Sequence, residues 1–489
     1  MPDNPNSGPV PFGVRDDGSV LDGVSDEAPG LSPAWPLDKP VMQAKAAERE
    51  QHFGVDENEY DPNDLHDVGW AVLFAPGLDE KIKEALQPLL ERRKVQVDDE
   101  RLFKILDGDY HPPEKAEDWL TRHGARMATV VPLAGVPYYV LIVGSPDQIP
   151  FEFQYELDIF WAVGRLWFET ADEFRQYAAS VVKYETDAEV SRSRQIAFFA
   201  TRNSNDRATE LLMNQVALPM LNGTAVTKPL GRARKLNFAL SPFLGENAEG
   251  TDLDNIFRGR IPNGPPALLF TGSHGRTGDI ADPAFSDIRG ALICNSWTKG
   301  RAISRDQFYA GADLPSDADV HGLIHFLFAC YGAGWPEIDN FSRTAEKQTR
   351  IAPKPAIAQL PQKLLSHPNG GALAVIGHVD RAWAWSFQSA DGTGQTGEFR
   401  MVLNSLMAGD RIGQAMDEFN KTWAALSTGI GETLHQIQSM GRQLPPEELN
   451  KLKNRWVARD DARNYVVLGD PAVQLRTDHM PSIILKEKD

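Results

Sequence analysis

Apolar residues in this chain gather in short unbroken runs, and the stretches between those runs carry helical spacing. Trp70-Ala-Val-Leu-Phe74, Tyr138-Tyr-Val-Leu-Ile-Val143, Gln195-Ile-Ala-Phe-Phe-Ala200, Ala267–Thr271, Leu323–Ala329, Ala372–Ile376 and Tyr465-Val-Val-Leu468 each read as strands covered on both faces. Between Asp79 and Arg92 the apolar positions Ile82, Ala85, Leu86, Leu89 and Leu90 recur at the period of a helix. Thr170-Ala-Asp-Glu173 has the form of a capping box, predicting a helix to about Tyr184. Further helices are predicted around 207–221, 398–407 and 412–426. Strands alternating with helices predict an α/β chain whose sheets are mostly parallel and doubly wound. The pattern starts near residue 66 and restarts near 188. It therefore predicts two successive α/β subdomains, 66–187 and 188–478, with a short tail at 479–489.

Residues 1–40 hold eight prolines and five glycines among acidic residues, and a charged stretch continues to about 65. Such a composition offers little apolar surface to offset chain entropy, so 1–65 is expected to be a flexible extension, either a bland tail or a regulatory segment.

The chain has 489 residues, 42% of them hydrophobic and 24% charged, enough material for a core of ordinary size. Acidic residues outnumber basic ones by 68 to 50, a net charge of −18, which disfavours a nucleic-acid partner. With only two cysteines, Cys294 and Cys330, a reducing compartment is expected. The N-terminus lacks the basic start and apolar run of a signal peptide, and no segment approaches the ~20 apolar residues of a membrane span. A soluble, cytoplasmic protein without a membrane partner is the expectation.

Two of the predicted strands end in reactive side chains. Pro266-Ala-Leu-Leu-Phe-Thr-Gly-Ser-His274-Gly275 delivers a histidine, and Leu323-Ile-His-Phe-Leu-Phe-Ala-Cys330-Tyr-Gly a cysteine. Ligands of open parallel sheets sit beyond the carboxyl ends of strands, so a His and a Cys on neighbouring ends would face one cleft. An adjacent imidazole activates a thiol and then protonates a leaving amine, while flanking glycines let backbone N–H groups approach a reacting carbonyl. Read locally, each residue is equally a structural one: a cysteine after an apolar strand is often a small buried hydrophobe. Cys294 is taken as structural.

An apolar strand ending in His-Gly, followed by one ending in Ala-Cys, resembles the caspase-like (clan CD) cysteine peptidases. The separation of 56 positions from His274 to Cys330 is compatible with that group. Leu141-Ile-Val-Gly-Ser-Pro-Asp-Gln-Ile-Pro150, Val163-Gly-Arg-Leu166, Ala374-Val-Ile-Gly377 and Leu468-Gly-Asp-Pro471 follow in the order of the gingipain-like and CHAT branch, so the resemblance spans about 66–478. It implies a caspase-like αβα sandwich of two subdomains, the second catalytic. It also implies a cysteine endopeptidase that needs no cofactor or metal, acting on a protein or peptide substrate and open to a regulatory protein partner. Cys330 would be the nucleophile and His274 the acid/base, with an oxyanion site at the N–H groups of Gly275 and Cys330. Relatives carry an acid beside the histidine just after the strand matching 195–200. Thr201 and Arg202 stand at that place here, a departure from the pattern.

An acid on that same loop binds the substrate's arginine in gingipain-like relatives, and Asp206 falls at the comparable position, predicting cleavage after Arg or Lys. Asn205 or Asp206 would serve as well as an ordinary helix N-cap before Ala208-Thr-Glu-Leu-Leu. Asp158 is a second acidic candidate, and Trp383 and Trp385 are candidate pocket walls or core residues. Gly392-Thr-Gly-Gln-Thr-Gly397 fits a dinucleotide loop but lacks a leading apolar strand. His321, His325 and Cys330 lie too far apart along a strand to share a zinc ion. The competing functional reading is a catalytically idle caspase-like scaffold or binding subunit of a signalling or defence complex.

Overall fold

A computed structural model of the chain describes residues 10–23, 53–232, 235–341, 349–388, 393–440 and 444–481. Its strands, in chain order, are β1 Gly13–Val14, β2 Trp70–Phe74, β3 Phe103–Asp107, β4 Tyr139–Val143, β5 Ala162–Leu166, β6 Ser193–Ala200, β7 Ala239–Leu244, β8 Pro266–Gly272, β9 Gly275–Arg276, β10 Leu292–Ile293, β11 Phe308–Tyr309, β12 Ile324–Phe328, β13 Gly334–Trp335, β14 Ala356–Ile357, β15 Ala374–His378 and β16 Tyr465–Gly469. Ten of them form one sheet in the order β3-β2-β4-β5-β16-β15-β12-β8-β6-β7. Neighbours are parallel throughout except β15 and β16, which are antiparallel. The fold is a mixed α/β architecture around a large, mostly parallel sheet, as expected.

The two halves predicted as successive subdomains share this sheet. β16, last in sequence, inserts between β5 of the first half and β15 of the second. The antiparallel step means that β2 to β5 and β16 run one way and the other five run the opposite way. Carboxyl strand ends of the two halves therefore open at opposite edges of the sheet. Gly164 permits the junction, since a Cβ there would stand 2.3 Å from the Gly469 carbonyl oxygen. Just beyond β16, Asp470 accepts from Trp70 Nε1 at 3.0 Å and from Arg93 Nε at 2.7 Å. Arg93 also meets Glu185 at 2.7 Å, so the Gly-Asp-Pro landmark ties β16 to helices Glu80–Val97 and Ala171–Thr186.

Interior strands match the apolar runs because both faces are buried. The edge strands β3 and β7 are half-exposed, with mixed residues and, in β7, Pro242, which only an edge tolerates. Thr170 and Glu173 form the expected capping box of helix Ala171–Thr186. The predicted helix at 412–426 is instead a short Ile412–Ala415 turn and a longer Asp417–Met440 helix.

The first 65 residues differ from expectation where they are described. Residues 10–23 form a hairpin: Leu21 donates to the Gly13 carbonyl at 2.9 Å and Arg15 to that of Ser19 at 2.8 Å. β1 pairs in parallel with β9 in a small sheet β1-β9-β10-β11. Phe12 and Val14 are fully buried. The partners that order this segment lie more than 250 positions away, so its own composition carries no sign of them. The rest of 1–52 lies outside the described residues.

Candidate active site

β8 and β12 are adjacent and parallel, with Thr271 opposite Leu327 and Gly272 opposite Phe328. Side chains alternate faces along a strand. His274 and Cys330 each follow the last paired residues, Gly272 and Phe328, by two positions, the same parity as Phe270 and Phe326, whose rings meet at 5.5 Å. The chains leave the strands in close contact: Ser273 N donates to the Phe328 carbonyl at 3.1 Å. A Cβ on Gly275 would stand 1.9 Å from the Cys330 carbonyl oxygen, so glycine is the residue this approach admits.

His274 is fully buried, and its Nε2 bonds Asp206 Oδ2 at 2.8 Å. Its Nδ1 has no hydrogen-bond partner among the described residues. Trp297 stands edge-on to the imidazole at 5.7 Å. The loop carrying Trp297 is held by Asn203, whose amide donates to the carbonyls of Cys294 at 2.8 Å and Trp297 at 3.1 Å.

Asp206 does two jobs. It caps helix Arg207–Leu212 by accepting from Thr209 N at 3.0 Å, and it accepts from the Thr209 hydroxyl at 2.8 Å on the same oxygen that meets His274. Burial alone would push its carboxyl up, but the charge and hydrogen bond of His274 and the Thr209 donors outweigh it and hold the carboxyl well below the usual range. Its other oxygen lies 4.0 Å from Lys299 Nζ. All three hydrogen bonds of this carboxylate fall on Oδ2, while Oδ1 is buried without a hydrogen-bond partner among the described residues. The acid looked for at Thr201 and Arg202 is supplied four positions later, where the helix cap turns it toward His274.

Cys330 is also fully buried. Ala382 N donates to its sulfur at 3.2 Å, and burial pushes the thiol well above its ordinary range. Tyr331 (φ 60) and Asp380 (φ 70) are both left-handed, and Tyr331 N donates to the Asp380 carbonyl at 2.7 Å. Non-glycine residues in this region mark backbone held by its surroundings. Here the Asp380 carboxylate accepts from Asn340 N and Arg381 N, and Arg381 pairs with Asp339.

The cleft above Cys330 contains the hairpin. The Phe12 carbonyl oxygen accepts from Gly275 N at 2.9 Å and from Cys330 N at 3.1 Å. Phe12 N donates to the Ala382 carbonyl at 2.9 Å and Ala384 N to that of Val10 at 3.2 Å, an antiparallel pairing with Pro11 opposite Trp383. A Cβ on Gly13 would stand 3.1 Å from Cys330 Sγ.

Asp158 makes a local backbone contact, and the tryptophans follow the core-packing alternative. Asp158 ends helix Phe151–Leu157 in the first half and accepts from Val163 N at 3.2 Å, a structural contact. Trp383 lends its backbone to the cleft, but its ring packs with Phe341, Ile430, Trp456 and Val457, and Trp385 lies against that cluster. Both rings pack in this cluster behind the cleft strand. Asp461, accepting from Trp383 N at 3.0 Å and Ser386 Oγ at 2.7 Å, fixes that strand. Asn203 and Trp297 were not legible as site residues, and of 382–384 only Trp383 was singled out, for its ring and not its backbone. The one available signal at the other end was Val10-Pro-Phe-Gly-Val14, an apolar island in an acidic, proline-rich stretch.

No protein-family model and no curated protein matches the chain. Among solved structures it is similar to the Arg-specific cysteine proteinase gingipain R (RgpB), at 12% identity and TM-score 0.47, covering 87% of this chain and 81% of that one. A structure described as that of a protease is similar at 14% identity and TM-score 0.47, covering 83% and 78%. The complex of Porphyromonas gingivalis RgpB pro- and mature domains is similar at 12% identity and TM-score 0.41, covering 84% and 80%.

Proposed function

We propose that this chain is a cysteine endopeptidase of the caspase-like clan, in the gingipain-like and CHAT branch that its motifs resemble. One observation carries the reading: two backbone N–H groups, of Gly275 and Cys330, converge on a single peptide carbonyl oxygen at the cysteine. Donors aimed at such an oxygen stabilise the negative charge that develops on it during acyl transfer.

The roles follow from the contacts. Cys330 passes its proton to His274 Nδ1, the ring nitrogen left free by Asp206, and the thiolate attacks the carbonyl carbon. The oxyanion rests on Gly275 N and Cys330 N. His274 then protonates the departing amine, and afterwards takes a proton from the water that hydrolyses the thioester. Asp206 orients the imidazole and stabilises its cationic form, as the orienting third group does in such constellations. Cleavage after Arg or Lys would draw on Asp206 Oδ1, the oxygen not bonded to His274.

Cys330→Ala and His274→Ala are each expected to abolish peptide cleavage, scored by mass spectrometry of a proteome-derived peptide mixture, with thermal stability nearly intact. Undiminished turnover by Cys330→Ala would exclude the mechanism. The idle-scaffold reading draws on the filled cleft and the desolvated thiol. It predicts no Cys330-dependent product in any variant with an opened cleft.

A further inference from the structure

Resting on the peptidase reading, we propose that the N-terminal hairpin is a substrate mimic that occludes the cleft of its own chain, and that the enzyme selects an aromatic residue before the scissile bond and glycine after it. The hairpin lies as a substrate would. Its strand hydrogen-bonds to both sides of 382–384, and Pro11 costs nothing there because its missing N–H falls between the bonded positions. The Phe12 carbonyl occupies the two-donor site, so Phe12–Gly13 is the bond presented to Cys330. Attack there would join Sγ to the Phe12 carbonyl carbon, break the bond to Gly13 nitrogen, and deliver the thiol proton through His274 to the new amine.

The neighbours of these two residues name the substrate class. The Phe12 ring is fully buried and meets Phe328 at 4.7 Å, His274 at 5.7 Å and Phe387 at 5.8 Å. Edge-to-face contacts of this kind favour an aromatic guest. An arginine would bury its guanidinium against the phenyl rings of Phe328 and Phe387. On the other side, an added Cβ at Gly13 would stand 3.1 Å from Cys330 Sγ, tighter than an ordinary contact, so the cleft favours glycine there.

The hairpin is latched outside the pocket as well. Asp16 pairs with Arg276 at 2.6 Å, Gly300 N donates to the Gly18 carbonyl at 3.0 Å, and Ile303 N to that of Asp16 at 3.0 Å. Gly18 has φ 83, and a Cβ on it would stand 1.9 Å from the Arg301 carbonyl oxygen. Gly18→Val thus breaks the latch without touching the cleft, whereas Phe12→Asp empties the aromatic pocket.

The test uses the full chain in a Cys294→Ala background. Iodoacetamide alkylation of Cys330 and turnover of a quenched peptide containing Val-Pro-Phe-Gly-Val are measured beside peptides with Arg or Ala replacing Phe. Wild type should be slow in both assays. Gly18→Val and Phe12→Asp should each raise both rates on the order of tenfold or more, as the closed population falls, with the Phe peptide cut fastest between Phe and Gly. Equal rates in wild type and both variants would overturn the occlusion while leaving the peptidase reading standing. Preferential cleavage of the Arg peptide would overturn the aromatic selection. Accelerated alkylation with no cleavage of these peptides or of the proteome-derived mixture would overturn the peptidase reading and the substrate class with it.

Discussion

The carboxylate of Asp206 accepts from an imidazole, a hydroxyl and a backbone N–H, and that sharing makes it sensitive to the loss of its charge. Asp206→Asn is expected to keep the helix cap in part but to lower turnover by roughly 10²- to 10⁴-fold, the range over which proton transfer by a positioned group contributes. Its depressed pKa also gives a sign. A carboxyl lowered in the folded state stabilises above its unfolded value of ~3.9, and that contribution is lost as pH falls further. The stability gap between wild type and Asp206→Asn should therefore be full at neutral pH and shrink below about pH 4, followed by thermal melts. Asp380 has the opposite sign. Burial and the neighbouring Asp339 push its carboxyl up to about 6, so between ~3.9 and that value the folded protein holds a proton the unfolded chain has lost. Its contribution falls as pH rises through that window, and Asp380→Asn should flatten the slope there. Cys294→Ala, by contrast, should leave cleavage unchanged, since burial pushes that thiol up to about 12 and Gly250 and Tyr309 enclose it. At this scale the sequence offered Asp206 as cap or as pocket acid. The cap was legible from Asp206 standing before Ala208-Thr-Glu-Leu-Leu, but the histidine partner was not, because it approaches from 68 positions away.

At the scale of the element, the ends of β8 and β12 do the positioning. Gly275→Ala tests this, since its Cβ would overlap the Cys330 carbonyl oxygen. It should abolish cleavage and cost about 1–3 kcal/mol, as overpacking does, read by denaturant titration beside the activity assay. The buried strands were legible because burial on both faces demands unbroken apolar runs. β3 and β7 escaped notice, and the β5 segment Val163–Leu166 stood out only as a family landmark, not as a strand. The two edge strands mix polar and apolar residues, and β5 carries Gly164 and a buried Arg165 whose charge is met by Gln154 and the Gly144 carbonyl, partners that only the folded chain supplies. The hairpin escaped for a related reason: a segment that borrows its hydrogen bonds and apolar contacts from distant strands shows no core of its own.

At the scale of the whole molecule, the antiparallel insertion of β16 joins the halves, and Asp470 is its anchor. Asp470→Ala would leave Arg93 buried with Glu185 and the Gln96 amide oxygen to meet it, and truncating one partner of a buried pair costs about 3–5 kcal/mol. A single, markedly lower unfolding transition is expected by calorimetry, with both halves melting together. Separate transitions for the two halves would contradict the shared sheet. By itself the sequence determined the local terms: which runs are buried strands, where helices are capped, and that a histidine and a cysteine end two such strands beside glycines. Those features depend on side-chain periodicity and turn chemistry within a few residues. Tertiary structure decided the rest: that the halves share one sheet, that Asp206 serves His274, and that Phe12 fills the cleft. Each of these joins groups far apart in the chain, and such pairings are set by strand order and by competition for buried hydrogen bonds, which no local pattern encodes.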